Sequence, residues 1–170
     1  RPENDPLVDR FLLAGGTLLS DCKHPDYKKL VSALETHALV LDGILGTGIR
    51  LPLRGSIANL LEFVGTHLQE MKNPPLVVAV DCPSGVDCDT GEAASECLPA
   101  EMTVTMAAVK QGLLKFPAFK LVGDLRLVGI GLPGDLPAYE SIHREVIDAA
   151  WVRQVIPPRQ LDSHKGTFGT

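Results

Sequence analysis

The sequence predicts an α/β fold with a mostly parallel sheet and helices on both faces. Two observations carry this. Apolar runs at Ala38–Leu41, Leu76–Val80, Met102–Ala108 and Leu125–Leu132 are separated by helical or long loop segments, the pattern of parallel strands covered on both sides. Two of the runs end in an acid, Asp42 and Asp81, and then break into glycine- or proline-rich turns. A parallel strand delivers such an acid to the carboxyl edge of its sheet, where open α/β folds bind ligands.

The elements follow in order. Phe11–Ala14, closed by Gly15-Gly16, reads as a short strand. Pro25–Leu34 reads as a helix, with Pro25 suited to its first turn. Ala38–Leu45 is a strand interrupted by Asp42 and Gly43. Over Ser56–Met71, residues Ile57, Leu60, Leu61, Val64, Leu68 and Met71 fall on one helical face, with Ser56 as N-cap. Pro74-Pro75 stops that helix ahead of the Leu76–Val80 strand. Ser141–Val152 is a further helix, and Pro157-Pro158 breaks the chain before a polar tail.

Composition narrows the class. The 170 residues are 45% apolar and 22% charged, as in a globular domain with a sizeable core. A net charge of -5 argues against nucleic acid and anionic membranes as partners. No apolar run is long enough to span a bilayer. Cys22, Cys82, Cys88 and Cys97 form no CxxC pair and no zinc-type spacing with histidine. Reduced thiols and a cytoplasmic location are therefore expected.

Candidate site residues lie at the strand ends. Asp42 must meet water, a donor or a cation, because an unpaired buried carboxylate is costly; the competing reading is a solvated loop acid capping nearby amides. The loop Gly46-Thr47-Gly48-Ile49-Arg50-Leu51-Pro52 precedes the best helix. Its glycines and Arg50 suit a phosphate, although it is neither GxGxxG nor a Walker loop and also reads as a plain turn. Asp81 leads into a tight turn that Pro83 and Gly85 fix around the Ser84 hydroxyl, and such hard oxygens suit an alkali or alkaline-earth cation, or the acid simply accepts its own amides. Asp87, Asp89 and Thr90 read as a solvated acidic turn, since the spacing of an EF-hand is missing. Lys110 follows the third strand and belongs to the same edge, or else is an ordinary surface lysine. His24, His37, His67 and His143 have no metal or triad spacing, and Cys82 and Cys88 are not expected to be nucleophiles.

Three segments together resemble the NAD(P)H-hydrate epimerase family, also called the YjeF N-terminal domain: LDGILGTGIRLPLRG at 41–55, VAVDCPSGVDCDTG at 78–91 and TVTMAAVKQGLL at 103–114. LVGDLRLVGIGLP at 121–133 is similar to the last strand of that family. The resemblance implies a Rossmann-like three-layer α/β/α sandwich that interconverts the R and S forms of hydrated NADH and NADPH. It implies a potassium ion held by Asp42 and Ser84, substrate contacts from Gly46–Pro52, and Asp81 as the catalytic group, itself in contact with substrate; Lys110, at the same edge, is expected to join the substrate-binding residues. It also implies an upstream glycine- and asparagine-rich loop and first strand, so the domain is expected to lack its N-terminal part.

The tail residues Ser163-His-Lys-Gly-Thr-Phe-Gly169 are similar to the beginning of an ADP-dependent NAD(P)H-hydrate dehydratase, a ribokinase-like lyase. Residues 1–150 are thus expected to be the epimerase domain and 151–170 a linker into the second enzyme, in a protein capable of homo-oligomerisation. The reading from another class is a non-catalytic binding or dimerisation module, or an inactive fragment.

Overall fold

The computed structural model describes residues 5–19, 27–156, 161–164 and 166. Two compact units divide the chain, one to Ile130 and one from Gly131. The first contains α1 (Pro6–Leu13), α2 (Lys28–Thr36), β1 (Leu39–Asp42), α3 (Gly55–Glu70), β2 (Leu76–Val80), β3 (Met102–Met106) and β4 (Asp124–Val128). The strands form one sheet in the order β1-β2-β3-β4, and every pairing is parallel. The result is an α/β Rossmann-like fold. All four strands point the same way, so the residues that follow them gather at one edge.

Parallel register also fixes which side chains share a face. Val40 pairs with Val77, Asp42 with Ala79, and Ala79 with Thr103. Residues two apart point to the same side, so Asp42, Val77, Ala79, Thr103 and Thr105 line one face, and all five are buried. α2 and α3 cover its β1 end: Leu34, Leu61 and Val64 form a cluster against which Val40 packs. Near β4, Cys82, Val86, Leu113, Ala118 and Val122 form a second cluster against which Leu125 packs. On the alternate face Leu39, Leu41 and Leu76 are 48%, 64% and 58% exposed.

Four local expectations need correction. Residues 11–14 are not a strand; they belong to α1 and the turn after it. The Asp5 carboxylate accepts from the Leu7 amide, and Pro6 occupies the first turn. This cap-and-proline start outweighs a four-residue apolar run. Ser56 does not cap α3. Gly55 takes φ +70° at its entrance, the N-cap position falls on Arg54, and no side chain caps the helix. The second unit holds no continuous helix over 141–152. It has α4 (Pro137–Glu140) and α5 (Ala149–Val155) instead, because the Asp148 carboxylate takes the Trp151 amide and starts a new helix there. The third strand stops at Met106, not Ala108, where Ala107 turns to φ +63°. Pro25 and Pro157-Pro158 lie outside the described residues.

Candidate functional site at the carboxyl edge of the sheet

Asp42 ends β1 and is 1% exposed. Ser84 meets it twice: its amide donates to Oδ2 at 2.7 Å and its hydroxyl to Oδ1 at 2.5 Å. The Leu45 amide in turn donates to Ser84 Oγ at 2.9 Å. The loops after β1 and β2 are thereby tied through one buried carboxylate. Every donor is neutral, and among the described residues no basic side chain pairs with Asp42. A buried carboxylate without a counter-charge, set among hard oxygens, is the donor chemistry of an alkali cation. Its charge adds to the effect of burial on Cys97, whose pKa is pushed up to about 12.

Asp81 follows β2 with φ +72°, a left-handed conformation that Asp tolerates better than most residues. That turn aims its side chain at β3. Oδ1 takes the Met106 amide at 2.9 Å, the Thr105 hydroxyl at 3.4 Å and the Lys110 ammonium. Among the described residues no donor reaches Oδ2. The Asp81 side chain is 26% exposed and that of Lys110 is 21%. Burial pushes the Asp81 pKa up, but the hydrogen bond from Lys110, the Met106 amide, the Lys110 charge and Thr105 together outweigh it. Its carboxyl therefore titrates below the ordinary range and is ionised at neutral pH.

The loop from Gly46 to Pro52 runs from Asp42 to α3. Gly46, Thr47, Gly48, Arg50 and Pro52 are exposed, while Ile49 and Leu51 are half-buried. Gly48 has φ +82°, which glycine adopts without strain. An open groove of about 400 Å³ is lined by Arg50, Leu51, Pro52, Leu53 and Arg54. It lies at the uncapped N-terminus of a 16-residue helix, whose free amides and dipole favour an anion. The second arginine of the groove, Arg54, was not among the residues expected from sequence.

The structure thus brings together Asp42 with Ser84, and Asp81 with Lys110, along one edge. Among the described residues no hydrogen bond joins the 46–52 loop to Asp81. Thr105 was missed in the sequence, although a visible signal existed: Thr103 and Thr105 are polar residues at alternate positions of an otherwise apolar strand. Thr103 serves the fold, donating to the Val122 carbonyl at 2.7 Å; Thr105 serves the edge. Asp87 accepts the Asp89 and Thr90 amides, both at 2.9 Å, as the acidic-turn reading expects. Cys82 is buried, and the neighbouring Cys88 together with burial pushes its pKa up, so it remains a thiol.

A parallel sheet with strand-end acids beside a glycine-bearing loop and a helix N-terminus is the layout of a Rossmann-like small-molecule-binding domain. A family model described as YjeF-related protein N-terminus matches residues 3–112. The chain belongs to that family. It is 36% identical over 155 residues to a Moorella thermoacetica protein named bifunctional NAD(P)H-hydrate repair enzyme Nnr, covering 91% of this chain and 28% of that protein. It is 35% identical over 136 residues to the Escherichia coli protein of the same name, covering 79% of this chain and 25% of the relative. A Microbacterium testaceum protein named NAD(P)H-hydrate epimerase is 48% identical over 99 residues, 56% of this chain and 37% of that protein. The matches therefore span about a quarter to two fifths of these relatives.

Proposed function

We propose that this chain is the greater part of an epimerase domain that interconverts the R and S forms of hydrated NADH and NADPH, within a longer cytoplasmic protein that also carries an ADP-dependent dehydratase. The observation that carries the reading is Asp81: an ionised carboxylate at the sheet edge, held through Oδ1, with no donor to Oδ2 among the described residues. Loss of the hydroxyl from C6 of the hydrated ring generates a nicotinium-like cation. A fixed carboxylate stabilises that cation electrostatically. Return of water to the other face gives the opposite epimer, and Asp81 takes up the proton that is released. The leaving hydroxyl takes its proton from solvent, since Asp81 is ionised at that stage, and Asp81 passes the proton it gains on water addition back to solvent, so the cycle balances.

Gly46–Pro52 and Arg54 are the groups for the substrate phosphates, since an exposed loop with two arginines leads into the free amides of α3. Asp42 and Ser84 are the groups for potassium, on the strength of the unneutralised buried carboxylate. When bound, that ion supplies charge balance and orientation, not redox chemistry. Names of relatives support the reaction: one is named an epimerase and two are named bifunctional repair enzymes. Among the described residues no helix is long and apolar enough to cross a membrane.

The test is interconversion of purified R and S NADPH hydrates, followed by chromatography, in the chain and in its Asp81→Asn variant. Interconversion lost in the variant supports the reading. Interconversion equal in both removes Asp81 from the chemistry. Its absence from both the chain and the longer protein favours a binding module.

A further inference from the structure

Asp81 is held by more than one partner, and the details of the hold divide the labour between them. Lys110 Nζ donates to Asp81 Oδ1, to Thr105 Oγ1 at 3.2 Å and to the Met106 carbonyl at 2.9 Å. An ammonium has three protons, and three acceptors take them. Lys110 has none left for a substrate. The Thr105 hydroxyl accepts from Lys110, which leaves its own proton for Asp81 Oδ1 at 3.4 Å. Thr105 is fully buried, so water does not compete for it.

From its place after the third strand, Lys110 is expected among the residues that touch substrate. The geometry points to a different role: we propose that Thr105 and Lys110 are positioning residues, which lock Oδ1 of Asp81 and leave Oδ2 as the oxygen that meets the reacting carbon. The kinetic part of this inference rests on the epimerase reading; the structural part does not. The clamp works on two levels. It holds a side chain whose backbone sits at φ +72°, and so fixes the direction of Oδ2. It also favours the ionised form. The groups that face Asp81 are Lys110 with its positive charge and the thiols of Cys82 and Cys88. Lys110 is the one cation among them.

The experiment uses Thr105→Val, Thr105→Ser and Lys110→Met, with folding checked by circular dichroism and thermal melting. The first readout is independent of activity: the carbon-13 carboxyl signal of Asp81 is titrated in the 170-residue chain. The midpoint should move up in Thr105→Val and further up in Lys110→Met, and return towards the parent value in Thr105→Ser. An unmoved midpoint in both Thr105→Val and Lys110→Met overturns the clamp, whatever the enzyme does. The second readout is kinetic. Misplacing a reacting group costs up to about 100-fold in rate, so kcat should fall in Lys110→Met and Thr105→Val with KM for the hydrate changed little. The acid limb of the pH profile should move to higher pH. A raised KM with unchanged kcat in Lys110→Met would make Lys110 a substrate contact and defeat the proposal. Should Thr105→Val fail to fold, Lys110→Met decides. Should neither the chain nor the longer protein show epimerisation, the titration decides alone, and it is then the epimerase reading that has failed.

Discussion

Asp42 and Ser84 are 42 positions apart in the chain, yet the Ser84 amide and hydroxyl both close on the Asp42 carboxylate, at 2.7 and 2.5 Å. This contact ties the ends of two adjacent parallel strands and buries a carboxylate that pairs with no basic side chain among the described residues. Both consequences can be measured.

The charge should make the fold respond to potassium. A ligand that binds only the native state raises its stability with concentration. The melting temperature is expected to rise in potassium chloride over tetramethylammonium chloride at equal ionic strength. Asp42→Asn removes the charge but keeps a carbonyl acceptor for Ser84, and should abolish the difference. A potassium response surviving in Asp42→Asn would take Asp42 out of the cation site.

The hydrogen bonds should matter even without the ion. Ser84→Ala strips Asp42 Oδ1 of its shortest donor and leaves the Leu45 amide without its acceptor. A buried polar group left unpaired costs about 1–3 kcal/mol. Urea unfolding should show a loss of that order with an unchanged slope.

Asp81→Asn and Asp81→Val separate chemistry from conformation. Asn accepts the left-handed backbone at φ +72°, whereas a β-branched residue there is strained. Asn should lower epimerisation by about 100-fold or more while losing only the electrostatic part of the Asp81–Lys110 contact from stability. Val should lose activity and also stability, by about 1–3 kcal/mol. Comparable melting temperatures for the two variants would mean that the positive φ carries no cost.

Acid should remove what Asp81 contributes to stability. Its folded pKa lies below the ordinary 3.8, so its contribution is fully present above that pH and is lost as pH falls through the folded value. The difference in urea midpoint between the parent and Asp81→Asn should shrink on going from neutral pH to below 3.8. A difference that holds constant across this range would deny the Asp81–Lys110 pair its electrostatic part.

Two glycines should respond oppositely to alanine. A Cβ on Gly112 would lie 2.5 Å from the Asp87 carbonyl oxygen and the Cys88 carbonyl carbon, both backbone atoms; one on Gly46 would meet nothing within 4 Å. Gly112→Ala should cost about 1–3 kcal/mol or more and disturb the turn after Lys110. Gly46→Ala should stay within about 0.5 kcal/mol of the parent. Protection by NADP in thermal melts should nevertheless weaken in Gly46→Ala if the loop holds phosphates.

Much of this protein was legible from residues alone. The apolar runs predicted the strands because a parallel strand covered by helices is built mainly from apolar residues. That Asp42, Asp81 and Lys110 share an edge followed from direction, since each comes after a strand of one parallel set. The motif segments pointed to the family because they join these acids to specific turns. Errors fell where short-range signals compete. Asp5-Pro6 overrode the apolar run at 11–14, Gly55 displaced Ser56 from the cap, and Asp148 split the helix read over 141–152. What no linear pattern contained is the assignment of individual oxygens. That Ser84 spends both its donors on Asp42, and that Lys110 and Thr105 crowd one oxygen of Asp81 while no described residue donates to the other, depends on register and on two positive φ angles, at Asp81 and Ala107. Hydrogen bonds act over about 3 Å, a range that sequence spacing does not encode and that only the packed strands bring about.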